Sequence, residues 1–111
     1  MSVIQRFQEL FSVYELGKYY DYQGAYYRVK HYGDDIYSLQ KAVPGMCGEK
    51  TAHPSLKFHW SEQTISYQFY VDFEAQPLVM KSFTPEDLAF FDQVFEELVT
   101  AFEKVAQTIT N

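Results

Sequence analysis

A chain of 111 residues with 47% apolar side chains, ten phenylalanines and ten tyrosines can bury a ring-built core without disulfides or metals, and is too apolar to be disordered. Its net charge of −6 is uneven, with seven basic and six acidic side chains in residues 1–60 against two and nine in residues 61–111, so an acidic second half argues against nucleic-acid binding. One cysteine excludes an intrachain disulfide, and no apolar run approaches the roughly 18 residues of a membrane span. The N-terminus is polar and amphipathic rather than signal-like. These features predict a cytoplasmic protein, away from membranes, with a single α+β domain over residues 1–111.

Residues 2–16 read as a helix. Val3, Phe7, Leu10 and Tyr14 fall on one face with Ile4 and Phe11 beside them, at the 3.6-residue period. Ser2 and Gln5 fit a capping box, and Gly17 stands where a left-handed C-terminal cap belongs. From Lys18 the period falls to two. Residues 19–22 and 26–31 pair as a hairpin about Gln23 and Gly24, with Tyr27 and Val29 alternating against Arg28 and Lys30. Residues 32–35 make the next turn, and residues 36–43 the next strand, with Tyr37, Leu39 and Val43 on one side.

Residues 44–55, PGMCGEKTAHPS, combine Gly and Pro punctuation with no periodicity. They are expected to form a long loop, the kind of segment that carries function. Leu56, Phe58 and Trp60 then alternate inward. After a turn at residues 61–63, Ile65, Tyr67, Phe69, Val71 and Phe73 occupy one face of a strand, opposite Thr64, Ser66, Gln68, Tyr70 and Asp72. Residues 78–80 suit a short edge strand.

The last element is a long helix. Thr84 suits the N-cap, Pro85 the first helical position, and Glu86 and Asp87 the positive end of the dipole. Leu88, Phe91, Phe95, Leu98, Phe102, Val105 and Ile109 form its apolar stripe, and Asp92, Glu96, Glu97 and Glu103 its acidic back.

Short turns between strands imply antiparallel neighbours. The fold class predicted is α+β: two layers, a twisted antiparallel sheet of four to six strands, with an N-terminal helix and a long C-terminal helix packed on one face. Phe69, Phe95, Leu98 and Phe102 are expected at the centre of the core. The competing arrangement is a homodimer with the C-terminal stripe as its seam.

No motif names a reaction. Cys47, His53 and His59, with Glu49 nearby, lack the paired short spacings of a zinc site, so neither metal nor cofactor is expected. Cys47 beside Lys50 and His53 permits a nucleophile without specifying one, so no catalytic residue is assigned and an enzymatic role is not favoured. Asp34 with Asp35, and Glu96 with Glu97, read as solvated charge.

Seven tyrosines crowd into residues 19–37, and strand alternation forbids burying them all. Tyrosine is a favoured interface anchor because it offers rigid area and a polar tip. The expected function is therefore a non-catalytic, acidic protein-binding module of inhibitor, immunity, adaptor or chaperone type. Tyr20, Tyr22 and Tyr26 are its expected anchors, with Glu96, Glu97, Cys47 and His53 as secondary candidates. Two alternatives stand beside it. One is a small-molecule binder or minor enzyme with a pocket near residues 44–55. The other is a nucleic-acid-binding domain, which would need an outward stripe of Arg28, Lys30, Lys41 and Lys57 beside exposed rings.

Overall fold

The computed structural model describes residues 2–110. Helix α1 (Val3–Glu9) is followed by six strands: β1 (Tyr20–Tyr22), β2 (Ala25–Gly33), β3 (Ile36–Pro44), β4 (Lys50–Ser61), β5 (Thr64–Asp72) and β6 (Val79–Ser82). Helix α2 (Leu88–Thr110) closes the chain. The strands lie in sequence order and every neighbouring pair is antiparallel, a meander with both helices on one face. The α+β, two-layer class expected from the sequence is the one observed. Among the described residues no helix is long and apolar enough to cross a membrane.

Local chemistry sets the turns. Gln23 and Gly24 both have positive φ (50° and 82°), the mirror-image turn whose twist matches that of a hairpin. Glu62 and Gln63 do the same between β4 and β5, with φ of 50° and 69°. At the β3–β4 tip, Gly45 is needed for space. A Cβ there would collide with the side chains of Glu49 and Thr51.

The core sits between α2 and the inner sheet face. Phe91, Phe95, Leu98, Phe102 and Val105 are buried, joined by Val94 and Val99 from the same helix. Phe95 packs on Phe7 from α1 and Phe58 from β4, with ring centroids 5.7 and 5.4 Å apart. Burying each such ring contributes about 2–3 kcal/mol. The apolar stripe is covered by this chain's own sheet, so it is not free to serve as a dimer seam. Leu88, expected on that stripe, is 50% exposed. It lies outside because residues 85–87 form a 3-10 turn and the helix proper begins only at Leu88. Thr84 makes no side-chain cap bond to the backbone; its hydroxyl donates to Asp87 Oδ2 at 2.9 Å.

Three further expectations are corrected. The first helix does not run to Leu16. Its capping box is present, but α1 ends at Glu9 and passes through a 3-10 turn at Leu10–Ser12. The Ser12 hydroxyl donates to the Glu9 carbonyl at 2.8 Å, a local bond that competes with helix continuation. Gly17 has φ of +84° and donates its N–H to the Val29 carbonyl at 2.8 Å, so it docks the connection onto β2 instead of capping a helix.

Residues 44–55 are not a long loop. β3 and β4 continue into them, with Pro44 opposite Lys50, Val43 opposite Thr51 and Ala42 opposite Ala52, leaving only residues 45–49 as a tip. The periodicity was hidden by an irregularity in β4: Gln40 opposes Ser55 but Ala42 opposes Ala52, so β4 holds one extra residue there. Pro54, which has no N–H for the ladder, lies in that irregular stretch.

Phe69 is not a core residue. Phe58 opposes Tyr67 while Lys57 opposes Phe69, so Gln68 is an extra residue, a β-bulge. Beyond it the faces exchange. Tyr67 and Tyr70 both point inward and are buried, whereas Phe69 is half-buried and Phe73 is 48% exposed on the other side.

Candidate binding face

With both helices on one side, the other side of the sheet is left open. Directly opposed residues share a face, so the strand register maps it. One row runs Arg28, Gln40, Ser55, Val71 and Met80 across five strands. The next runs Lys30, Ser38, Lys57, Phe69 and Ser82. On the other flank Tyr26, Ala42 and Ala52 stand in line.

These rows divide the face into three bands. The β2 side is a ridge of rings and cations: Tyr26, Arg28, Lys30 and Tyr32, with Tyr19 and Lys50 beside it. The centre is a floor of small side chains, among them Ala42, Ala52 and Ser55. The β5–β6 side is apolar, with exposed Phe73 and Met80 beside the largely buried Val71. Low floor and high flanks make a trough of about 380 Å³ with Arg28 and Lys50 on one wall and Val71 and Phe73 on the other.

The cationic ridge is built from paired rings and charges. The Arg28 guanidinium lies 4.2 Å from the centroid of Tyr19, and Lys50 Nζ lies 5.1 Å from Tyr19 and 4.8 Å from Tyr26. Lys30 and Lys57 approach the Tyr32 ring at 4.8 and 4.4 Å. Arg28 Nε donates to Gln40 Oε1 at 2.7 Å, and Gln40 Nε2 donates to the Tyr32 hydroxyl at 3.1 Å. That hydroxyl meets Ser38 Oγ at 3.2 Å, which satisfies the fully buried serine. Among the described residues no carboxylate lies within 4 Å of Arg28, Lys30, Lys50 or Lys57. The acidic side chains of α2 lie on the other layer.

The sequence-predicted anchors do not share a surface. Tyr20 opposes Tyr27, so it points to the helix side, where its ring meets Tyr14 at 5.1 Å and its hydroxyl accepts from the Glu15 N–H at 3.0 Å. Tyr22 lies on that side too, 6.4 Å from the Tyr27 ring. Tyr26 alone of the three is on the open face. Glu96 and Glu97 are exposed on α2: Glu96 is 4.0 Å from Arg6, and Glu97 accepts from Gln93 at 3.0 Å. Arg6 itself is held by Glu103 at 2.6 Å, tying α1 to α2.

Cys47 is exposed at the hairpin tip, with its backbone N–H donated to Glu49 Oε2 at 2.9 Å. His53 Nδ1 pairs instead with Asp72 Oδ1 at 2.7 Å, so no hydrogen bond brings Cys47 and His53 together. Among the described residues no group of three His, Cys, Asp or Glu is placed to hold a metal ion. Of the outward stripe considered for nucleic acid, Arg28, Lys30 and Lys57 are on the open face. Lys41 opposes Tyr27 and reaches the cleft beside Tyr70, Glu97 and Leu98 of the helix side, while also bordering the trough. Lys50 takes its place in the cationic ridge. The sequence places Tyr19 and Tyr32 in the tyrosine cluster but not among its anchors, and it does not signal Lys50 or the apolar wall as parts of this face; the alternation of Tyr26, Arg28, Lys30 and Tyr32 was the available signal for the ridge.

No family model matches this chain, and no curated protein or solved structure matches it.

Proposed function

We propose that this chain is a non-catalytic protein-binding module that holds its partner on the open face of the sheet. The observation that carries this reading is the juxtaposition, on one uncovered face, of Tyr19, Tyr26 and Tyr32, four cations that have no carboxylate within 4 Å among the described residues, and an apolar wall whose exposed members are Phe73 and Met80. Interfaces favour tyrosine and arginine in their centres, and exposed apolar patches rimmed by polar groups mark contact surfaces. The trough lies open to solvent, unlike the enclosed pockets that bury most of a small ligand. Binding without chemistry is the mode of inhibitors, immunity proteins, adaptors and chaperones. A cytoplasmic setting accords with the single exposed thiol of Cys47, which suits a reducing compartment.

The test is site-specific photocrosslinking in cells of the source organism. A photoreactive phenylalanine analogue at Phe73 or Tyr32 should give a discrete protein adduct, and the same analogue at Gln93, on the exposed side of α2, should not. Adducts from Gln93 alone would move the interface to the helix layer and overturn the reading.

A further inference from the structure

We infer that the open face recognises an acidic, partly apolar peptide segment lying extended in the trough, its carboxylates against the cationic ridge and an apolar side chain against Val71 and Phe73. This rests on the open face being the protein-binding surface and adds the chemistry of the segment bound there.

Four of the nine basic residues stand on this face, in a chain of net charge −6, and none has a carboxylate within 4 Å among the described residues. Covering these cations with a neutral surface would strip their hydration without replacement; carboxylates supply charge-assisted hydrogen bonds in return. Complementary charge therefore selects an anionic partner and suppresses basic ones.

The choice between an acidic peptide and a single-stranded nucleic acid is settled by the rings and the far wall. Base-stacking platforms need bare aromatic faces. Here Tyr19 is met by Arg28 and Lys50, and Tyr32 by Lys30 and Lys57, so those rings are already engaged by this chain's own cations. A phosphate backbone has nothing to bury against the exposed Phe73 and Met80, whereas a leucine or phenylalanine side chain does. The alanine floor lets an extended backbone approach closely. Strands alternate their side chains, so a segment alternating acidic and apolar residues can present each kind to its own wall.

The probe is a fluorescein-labelled synthetic peptide alternating Glu with Leu and Phe, read by fluorescence anisotropy against the full chain. Binding is expected to weaken at least about tenfold when Gln replaces every Glu in the peptide, or when the protein carries Lys50→Glu with Arg28→Gln. Ala52→Phe fills the trough without changing charge and should produce a similar loss. Glu96→Lys with Glu97→Lys should not weaken binding. Thermal melting verifies folding, and Ala52→Phe keeps the test decisive if the charge variant is unstable. The inference is overturned if the Gln peptide binds equally well, if Ala52→Phe has no effect, or if labelled oligo(dT) binds more tightly than the acidic peptide. It is also overturned if sedimentation shows a concentration-dependent dimer that Lys50→Glu abolishes, since a second copy would then be the occupant. Open-face crosslinks that persist while the peptide fails to bind would refute the acidic segment and spare the protein-binding reading. Loss of both would refute both.

Discussion

At the scale of single residues, the tyrosines divide by the side of the sheet they face, and with it by chemistry. Tyr14, Tyr27, Tyr67 and Tyr70 are buried on the helix side. The Tyr14 hydroxyl donates to the Phe102 carbonyl at 2.7 Å, and Tyr67 donates to Asp92 Oδ1 at 2.6 Å. Burial raises the pKa of all four above the ordinary phenol value, and Asp92 raises that of Tyr67 further by accepting its proton bond and repelling a phenolate. Below about pH 10 these phenols are protonated in both folded and unfolded chains, and their contribution is fully present. Above it the unfolded chain releases protons that the folded chain retains, so stability falls as pH rises. The urea midpoint should be level from about pH 7 to about pH 9 and drop steeply beyond about pH 10, with Tyr14→Phe and Tyr67→Phe each reducing the slope. A midpoint that stays level to about pH 11 would mean that these phenols titrate as freely in the folded chain as in the unfolded one.

At the scale of elements, the bulge at Gln68 decides which side of β5 faces the core, and mutational cost can read it directly. The Gln68 carbonyl accepts from the Phe83 N–H at 2.9 Å, so the extra residue also anchors the chain just beyond β6. Tyr70→Ala should cost about 2–4 kcal/mol, because its ring is buried edge-on to Phe90 at 5.0 Å. Phe69→Ala should cost about 1 kcal/mol, the value for a half-covered ring on an open face. Chemical denaturation of the two variants gives the order; the reverse order is what an unbulged strand would show. The same element shows where sequence reading stops. A five-residue alternation identifies a strand, and the long stripe of α2 identifies a helix and its buried side, because both signals repeat over many residues. A single inserted residue leaves no mark on that period, yet it exchanges every side chain beyond it. The irregularity beside Pro54 concealed half of β4 for the same reason. Ser12, bonded to Glu9, ended α1 while the apolar period continued through Tyr14. The cationic ridge was half legible, since Arg28 and Lys30 alternate within β2. Tyr19 and Lys50 join it from separate segments, and only the register of four strands brings them together.

At the scale of the whole molecule, the acidic back of α2 and the cationic ridge of the open face lie on opposite sides of a slab measuring 37 × 36 × 24 Å. The acidic side chains of α2, Asp92, Glu96, Glu97 and Glu103, stand behind the sheet, and Arg28, Lys30, Lys50 and Lys57, with no carboxylate within 4 Å among the described residues, stand in front. An approaching anion meets whichever field survives screening. At physiological salt the Debye length is about 8 Å, well below the slab thickness, so a partner at the open face is attracted by that face alone. At about 0.01 M salt the Debye length is about 30 Å, and the net charge of −6 reaches through the slab and repels. The on-rate for an acidic peptide should therefore pass through a maximum: low at very low salt, higher near about 0.05–0.15 M, and low again once the ridge itself is screened. Glu96→Lys with Glu97→Lys reduces the repelling charge without touching the open face. It should raise the on-rate at the lowest salt, remove the maximum, and leave the off-rate unchanged. Tyr26→Ala should do the converse, keeping the on-rate and accelerating dissociation, because an anchor acts after encounter. Stopped-flow measurement across the salt series separates the two. An off-rate that rises in the glutamate variant, with Tyr26→Ala silent, would place the contact on α2 instead.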